Sequence, residues 1–383
     1  MKTPIHRILM STDSIGGVWT YSIELARALS FFDVEVVLAS MGGPLSAEQQ
    51  SEAVALPNVM LFQSSCKLEW MADPWEDVAR AGQWMLELEA ELNPDLIHLN
   101  QYAHASLPWR SPTIVVGHSC VYSWFRAVRG SYPRNGWQRY RGETAAGLRA
   151  AQGVTAPTGA MLRSLLEIYG PFNSCAPIHN GRDRLDFRPG EKASIVFSAG
   201  RLWDEAKNTA ALECAAGEIA WPVYVAGETD HPDGGTRCLK NVVHLGRIST
   251  RAMSKWLGRS SIYVLPARYE PFGLTALEAA LSGCALVLGN IPTLREVWKD
   301  AAVYVPPERP DVLSAVLNHL IHNPDQIKKL ARRAAARALR YTPESMAKGY
   351  VDLYERILAQ TKSTFSPSES RHGRGERARD ILS

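Results

Sequence analysis

SIYVLPARYEPFGLTALEAALSGCALVLGNIP, residues 261–292, decides how the rest of the chain is read. Ile262–Leu265 is a short β-branched and apolar run, the pattern of a buried strand. Pro266 and Pro271 punctuate a loop over Ala267–Phe272. Gly273 lets the backbone turn before a helix expected from Leu274 to Gly283, and Ala285–Leu288 reads as the next strand. A helix that starts just past the carboxyl end of a parallel strand offers free amides and the positive end of its dipole, which suit a phosphate or diphosphate. Glu278 lies one turn beyond Leu274 on the same face, so it is expected to reach round the mouth of such a site. A carboxylate beside phosphate needs neutral donors, and ribose hydroxyls supply them. Glu270, in the loop, would face whatever is attached beyond the phosphates. A sugar nucleotide meets all three demands.

Outward from this stretch, 383 residues suggest two domains, and 46% hydrophobic with 21% charged residues is an ordinary globular composition. No apolar run of transmembrane length and no secretory signal pattern is apparent. The six cysteines are scattered without a C-x-x-C pair and read as reduced thiols of a cytoplasmic protein. Of the formal net charge of +3, the stretch 362–383 contributes +2 through five Lys/Arg against three Asp/Glu. The body is therefore close to neutral, which argues against nucleic-acid binding.

EPFGLTALEAALSG, with Glu270 and Glu278 separated by seven residues, resembles the E-x7-E signature of retaining glycosyltransferases of family four, formerly group one. The resemblance implies a GT-B fold: α/β, two Rossmann-like domains with parallel sheets facing across a deep cleft. It places Glu270 near the donor sugar and Glu278 on the ribose, with Phe272, Gly273 and Leu274 between them. AGRLWDEAKN resembles the family's G-R-L-x-x-x-K element, whose cations embrace the diphosphate; Arg201 and Lys207 take that role here, with a spacing one residue longer than usual. Fixed cations would stabilise charge left on a departing diphosphate. GRIST brings Gly246, Arg247 and Ile248 to the nucleobase by resemblance. In the first domain, GGVWTY resembles the family's N-terminal loop, so Gly16 and Gly17 face the cleft. PDLIHLN and IHNGRD match family segments as well, the second departing at Arg182, where an apolar residue is usual. His118 ends an expected strand Thr113–Val116 and by resemblance lies near the donor sugar; a strand-end His bonded to backbone is the plain alternative.

The expected organisation is an N-terminal acceptor-side domain over 1–188 with a returning helix 343–360, a nucleotide-sugar domain over 189–342, and a disordered tail 361–383. Residues 41–75 read as loop-rich. Asp230, His231 and Asp233 read as a polar loop rather than a metal site. Residues 122–141 interleave Tyr and Trp with five arginines. They read as an acceptor-binding region, as a packed helix pair with snorkelling arginines, or, third, as a peripheral membrane contact.

The expected function is transfer of a hexosyl group from a nucleotide-diphosphate sugar to a sugar or lipid-linked acceptor hydroxyl. Retention of configuration is implied by the resemblance, and the absence of D-x-D leaves no metal and no cofactor indicated. The catalytic candidates are Glu270, His118, Arg201 and Lys207. An epimerase or phosphorylase on the same scaffold, or a non-catalytic nucleotide-sugar binder, is the alternative.

Overall fold

The computed structural model describes residues 5–231 and 234–365. Asp233 and residues 366–383 lie outside them, as does most of the expected disordered tail.

The first sheet holds β1 (Arg7–Asp13), β2 (Glu35–Met41), β3 (Val59–Gln63), β4 (Leu96–Leu99), β5 (Thr113–Val116), β6 (Gly153–Ala156) and β7 (Cys175–Pro177). Its helices are α1 (Gly17–Leu29), α2 (Ala47–Val54), α3 (Trp75–Leu92), α4 (Val121–Arg129), α5 (Gln138–Ala150) and α6 (Gly159–Tyr169). The second sheet holds β8 (Ala193–Ala199), β9 (Val223–Ala226), β10 (Val243–His244), β11 (Ser260–Leu265), β12 (Ala285–Gly289) and β13 (Val303–Val305). Around it lie α7 (Thr209–Ala216), α8 (Thr250–Arg259), α9 (Leu274–Leu281), α10 (Pro292–Trp298), α11 (Pro310–Ile321), α12 (Pro324–Ala338) and α13 (Pro343–Phe365).

The strand orders are β3-β2-β1-β4-β5-β6-β7 and β10-β9-β8-β11-β12-β13, and every ladder is parallel. Both sheets thus reverse direction between their first and fourth strands, the place where a doubly wound sheet opens a crevice at its carboxyl ends. The crevices open beside β1 and β4 in one sheet and beside β8 and β11 in the other. Helices cover both faces, so β4, β5 and β12 are buried throughout and read as continuous apolar runs.

Side chains close the helix ends. Thr158 accepts from the Met161 amide and starts α6; Ser249 accepts from Ala252 and starts α8. The stretch 41–75 is more regular than its sequence suggests. Ser46 and Gln49 form a reciprocal capping box on α2, and β3 pairs with β2 along the sheet edge. The period of β3 is masked because it is only half-buried.

The last helix crosses back onto the first domain. Met346, Tyr350, Leu353, Tyr354 and Ile357 join the core of Ile8, Leu25, Leu29 and Ile114. Burying each such side chain stabilises by about 1.5–3 kcal/mol, so α13 is an integral part of that domain. It continues to Phe365, past the start expected for disorder.

Candidate active site

The two crevices face one another and form a single cleft of about 850 Å³. On the second-domain side, β8 ends at Ala199, and Gly200 leads on to Arg201. A 3-10 turn, Glu205–Lys207, then brings Lys207 forward. The extra residue in this loop is absorbed by that turn, where the Asp204 side chain accepts from the Ala206 amide at 2.9 Å. The Lys207 ammonium meets the Glu270 carboxylate at 2.5 Å, and Glu270 also accepts from the Gly273 amide at 2.9 Å. Gly273 sits at φ +90° as the N-cap of α9, a left-handed conformation that disfavours any residue with a Cβ. The first amides of α9, which have no partner within the helix, start at this point, and Gly273, Leu274 and Thr275 line the cleft.

Arg201 donates to Asp204 at 2.9 Å and lies over the Trp203 ring. A guanidinium has five N–H donors, so this pairing leaves Arg201 with donors for a ligand. Burial alone would raise the Asp204 pKa. Arg201, Lys207 and the Trp124 indole outweigh it and hold the carboxyl below its ordinary value. Across the cleft, Gly16 has φ +78°, and a Cβ placed on it would lie 3.5 Å from Arg201 Nη1. The Gly16–Gly17 loop and Arg201 are therefore opposed across a narrow gap.

His118 lines the first-domain side. Its Nε2 is 2.7 Å from Asn100 Oδ1, while the Asn100 amide nitrogen donates to Ser11 O. Since the Asn oxygen is the acceptor, His118 carries its proton on Nε2 and leaves Nδ1 as an acceptor. Burial pushes its pKa down to about 3, so the ring is neutral. Tyr21 packs edge-on against it at 4.4 Å between centroids. His98, on the neighbouring strand β4, is also pushed to about 3 by burial and bonds Tyr354 of α13 at 2.6 Å.

Of the residues expected at the site, Gly16, Gly17, His118, Arg201, Lys207, Arg247, Ile248, Glu270, Phe272, Gly273 and Leu274 line this one cleft. Gly246 does not; its carbonyl accepts from Gly227 at the end of β9. Glu278 does not either, and this corrects the expectation that it reaches the mouth. One turn along α9 carries it behind the wall, where it is 6% exposed. There Arg182 Nε meets Glu278 Oε1 at 2.9 Å, and Arg182 Nη1 meets Glu24 of α1 at 2.9 Å. The residue that departs from the family segment thus holds the second glutamate of the seven-residue spacing. Burial raises the Glu278 pKa and the Arg182 charge draws it back.

The arginine–aromatic stretch is a helix pair, and α4 docks onto the second domain. Trp124 Nε1 donates to Asp204 at 3.0 Å, Arg129 pairs with Glu205 at 2.5 Å, and the Tyr269 hydroxyl bonds Ser123 Oγ at 2.8 Å. Arg126 pairs with Glu167, and Arg139 and Arg141 lie over the Trp75 and Tyr122 rings. The domains meet again at α6, whose first amides, Gly159 and Ala160, donate to Glu296 of α10 at 2.7 and 2.8 Å.

Several cleft residues escaped the sequence reading. Asp13 at the end of β1, Glu69, Trp70 and Gln101 line the first-domain wall, beside Trp124 and Trp137 of the stretch read as an acceptor-binding region. Asp13 could have been found as an acid at a strand's carboxyl end beside a glycine pair. Glu69 carried no local signal, because it comes from a loop.

Comparison with known proteins agrees with this architecture. Residues 187–338 match the family model described as glycosyl transferases group 1, and residues 15–184 match that of glycosyltransferase family 4. The D-inositol 3-phosphate glycosyltransferase of Thermobispora bispora is 24% identical over 404 aligned positions, covering 90% of this chain and 92% of the relative. The glycogen synthase of Mycobacterium tuberculosis is 35% identical over 208, half of each chain. An uncharacterised 41.2 kDa protein of the Klebsiella pneumoniae cps region is 28% identical over 119, covering 30% of this chain and 33% of the relative. The chain thus spans about a third to a half of the length of the first curated relatives it matches. Among solved structures, a sucrose-phosphate synthase from Thermosynechococcus elongatus has a TM-score of 0.78 at 17% identity, over 93% of this chain and 100% of the other. The Anabaena HepE protein in complex with UDP-glucose has a TM-score of 0.70 at 18% identity, over 94% and 100%. At such identity the likeness shows the fold, GT-B.

Proposed function

The chain belongs to the group 1 glycosyltransferases of family 4, and from that premise we propose that it moves a hexosyl group from a nucleotide-diphosphate sugar to an acceptor hydroxyl. One observation carries the reading. Arg201, Lys207 and the N-terminus of α9 converge in a single cleft where both sheets present their carboxyl ends. The Lys207 ammonium has three donors and spends one on Glu270, so it can hold Glu270 and a diphosphate together. As the sugar–phosphate bond breaks, charge accumulates on the leaving diphosphate, and these fixed donors stabilise it without reorganising.

Glu270, held between Lys207 and the Gly273 amide, orients the sugar. His118 offers Nδ1 as a neutral acceptor from the opposite wall. The acceptor attacks from the face the diphosphate leaves, with a phosphate oxygen taking its proton, so configuration is retained and no side chain becomes a nucleophile. The donors on the second wall make the diphosphate clamp independent of a metal. Arg247 and Ile248 flank the base. The ribose role read for Glu278 is not part of the proposal, because its carboxylate is buried against Arg182 behind the cleft wall. Contact with a membrane through 122–141 is not part of it either, since four of the five arginines there are paired or stacked. Among the described residues no helix is long and apolar enough to cross a membrane.

A thermal-shift screen against UDP, GDP and ADP sugars tests the donor assignment. One of them, present at 100 times its dissociation constant, is expected to stabilise the protein by about 2.7 kcal/mol. No shift with any of the three at millimolar concentration overturns it.

A further inference from the structure

We infer that the acceptor is a sugar bearing neither phosphate nor carboxylate, seated on the first-domain wall among Asp13, Glu69, Gln101 and the rings of Trp70, Trp124 and Trp137. The inference rests on the transferase reading and names the substrate class of its second site.

The charge of this wall is the first argument. Asp13 and Glu69 are 8% and 5% exposed and line the cleft, and Glu48 and Glu52 of α2 line it as well. Among the described first-domain residues of the lining, the one Lys or Arg is Arg129, and Glu205 holds it at 2.5 Å. The opposite wall is where Arg201 and Lys207 stand. An anionic acceptor would find carboxyl groups and no available cation on its own side.

Hydrogen-bond capacity is the second argument. Gln101 is 4% exposed; its amide nitrogen donates to Asp13 Oδ1, and its Oε1 is buried without a partner. Glu69 accepts from the Tyr102 and Ala103 amides at 3.0 and 2.8 Å, and a carboxylate has lone pairs beyond those two. An unpaired buried acceptor is destabilising until a donor reaches it. A sugar hydroxyl brings a donor; an ionised phosphate or carboxylate brings only acceptors. Burial raises both carboxyls to about 7, so negative charge is already disfavoured there and a bound anion would add to it.

The third argument is shape. Trp70, Trp124 and Trp137 are each half-buried on the same lining, and indole rings can cover the C–H face of a pyranose.

The test measures binding of neutral methyl hexosides, the matched hexose 6-phosphates and the matched hexuronic acids to the intact protein without donor, by saturation-transfer NMR and titration. At least one neutral hexoside is expected to bind at least tenfold more tightly than its phosphate and its uronate. In Asp13→Asn this discrimination is expected to narrow severalfold. Equal or tighter binding of the anionic partners overturns the inference, as does failure of every neutral hexoside to bind, and an unchanged ratio in Asp13→Asn removes wall charge as its cause. Because no donor is present, these outcomes are separate from the donor screen: a protein that binds neutral hexosides and no nucleotide sugar would refute the transferase reading alone.

Discussion

The two walls of the cleft stand at equivalent places in two sheets of the same strand order, yet their chemistry is opposite. The second-domain wall presents Arg201, Lys207 and the amide end of α9. The first-domain wall presents Asp13, Glu69 and His118, all pushed by burial toward their uncharged forms. A wall that meets a diphosphate needs fixed positive charge. A wall that meets hydroxyls needs hydrogen-bond acceptors and ring faces, and it needs no fixed cation. The same scaffold serves both because the side chains at strand ends, rather than the strands, set the local field.

Behind both walls lies the group that ties them, and the largest expected effect is there. Arg182 bridges Glu24 of the first domain and Glu278 of the second, and all three side chains are buried. Arg182→Leu leaves two carboxyls facing each other without their shared cation. It is expected to destabilise by about 3–5 kcal/mol, the usual consequence of removing one partner from a buried pair. Adding Glu24→Gln and Glu278→Gln to the same variant is expected to recover most of that loss. Chemical denaturation checks both. If Arg182→Leu is as stable as the parent, the tie is incidental and the walls are held together elsewhere, for instance by Glu296 on the first turn of α6.

Next in size is a test of the second wall itself. Arg201→Ala removes a donor aimed at the leaving diphosphate, and such a loss lowers turnover by about 10²–10³-fold. No first-wall side chain is replaced by this change, and Asp13 loses only the opposing charge of Arg201, so neutral hexoside binding should be largely retained. Initial rates with the donor found by screening, together with hexoside titration, make the comparison. A variant that loses both would show that the walls do not act separately.

How far the sequence showed this depends on the range of each interaction. The Glu270–Gly273 turn was legible because proline, phenylalanine and glycine determine it within four residues. Lys207 was legible as a cation, while the turn that carries it to Glu270 depends on Asp204 capping the Ala206 amide. Glu278 was misread for a geometric reason. Its i,i+4 relation to Leu274 is correct, but α9 runs away from the cleft, and one turn suffices to bury it. The sequence did mark Arg182 as a departure; what it could not show was that two glutamates, 158 and 96 positions distant in the chain, converge on that side chain. The Asp13–Gln101–Glu69 wall was invisible because its members come from β1, the end of β4 and an irregular loop, and only the sheet order brings them together.

The last test probes what burial does to the charge of the first wall. Burial lifts Asp13 from 3.8 to about 7, with the Gln101 amide pulling the other way, Glu69 adding to the rise and Arg201 opposing it. Below about pH 4 the folded and unfolded chains both hold this proton. Between about pH 4 and 7 the unfolded chain releases it while the folded chain keeps it, so this group's contribution to stability falls as the pH rises. Above about 7 both forms are ionised and the penalty is constant. Asp13→Asn has no such proton, and every other titrating group is common to both proteins. The melting temperature of the variant relative to the parent is therefore expected to rise from pH 4 to 7 and level off beyond it, each kcal/mol appearing as about 1 °C in a chain of this length. Paired melting curves across that range measure it. A flat difference would mean that Asp13 ionises in the folded state as it does in water, so that burial does not disfavour its charge.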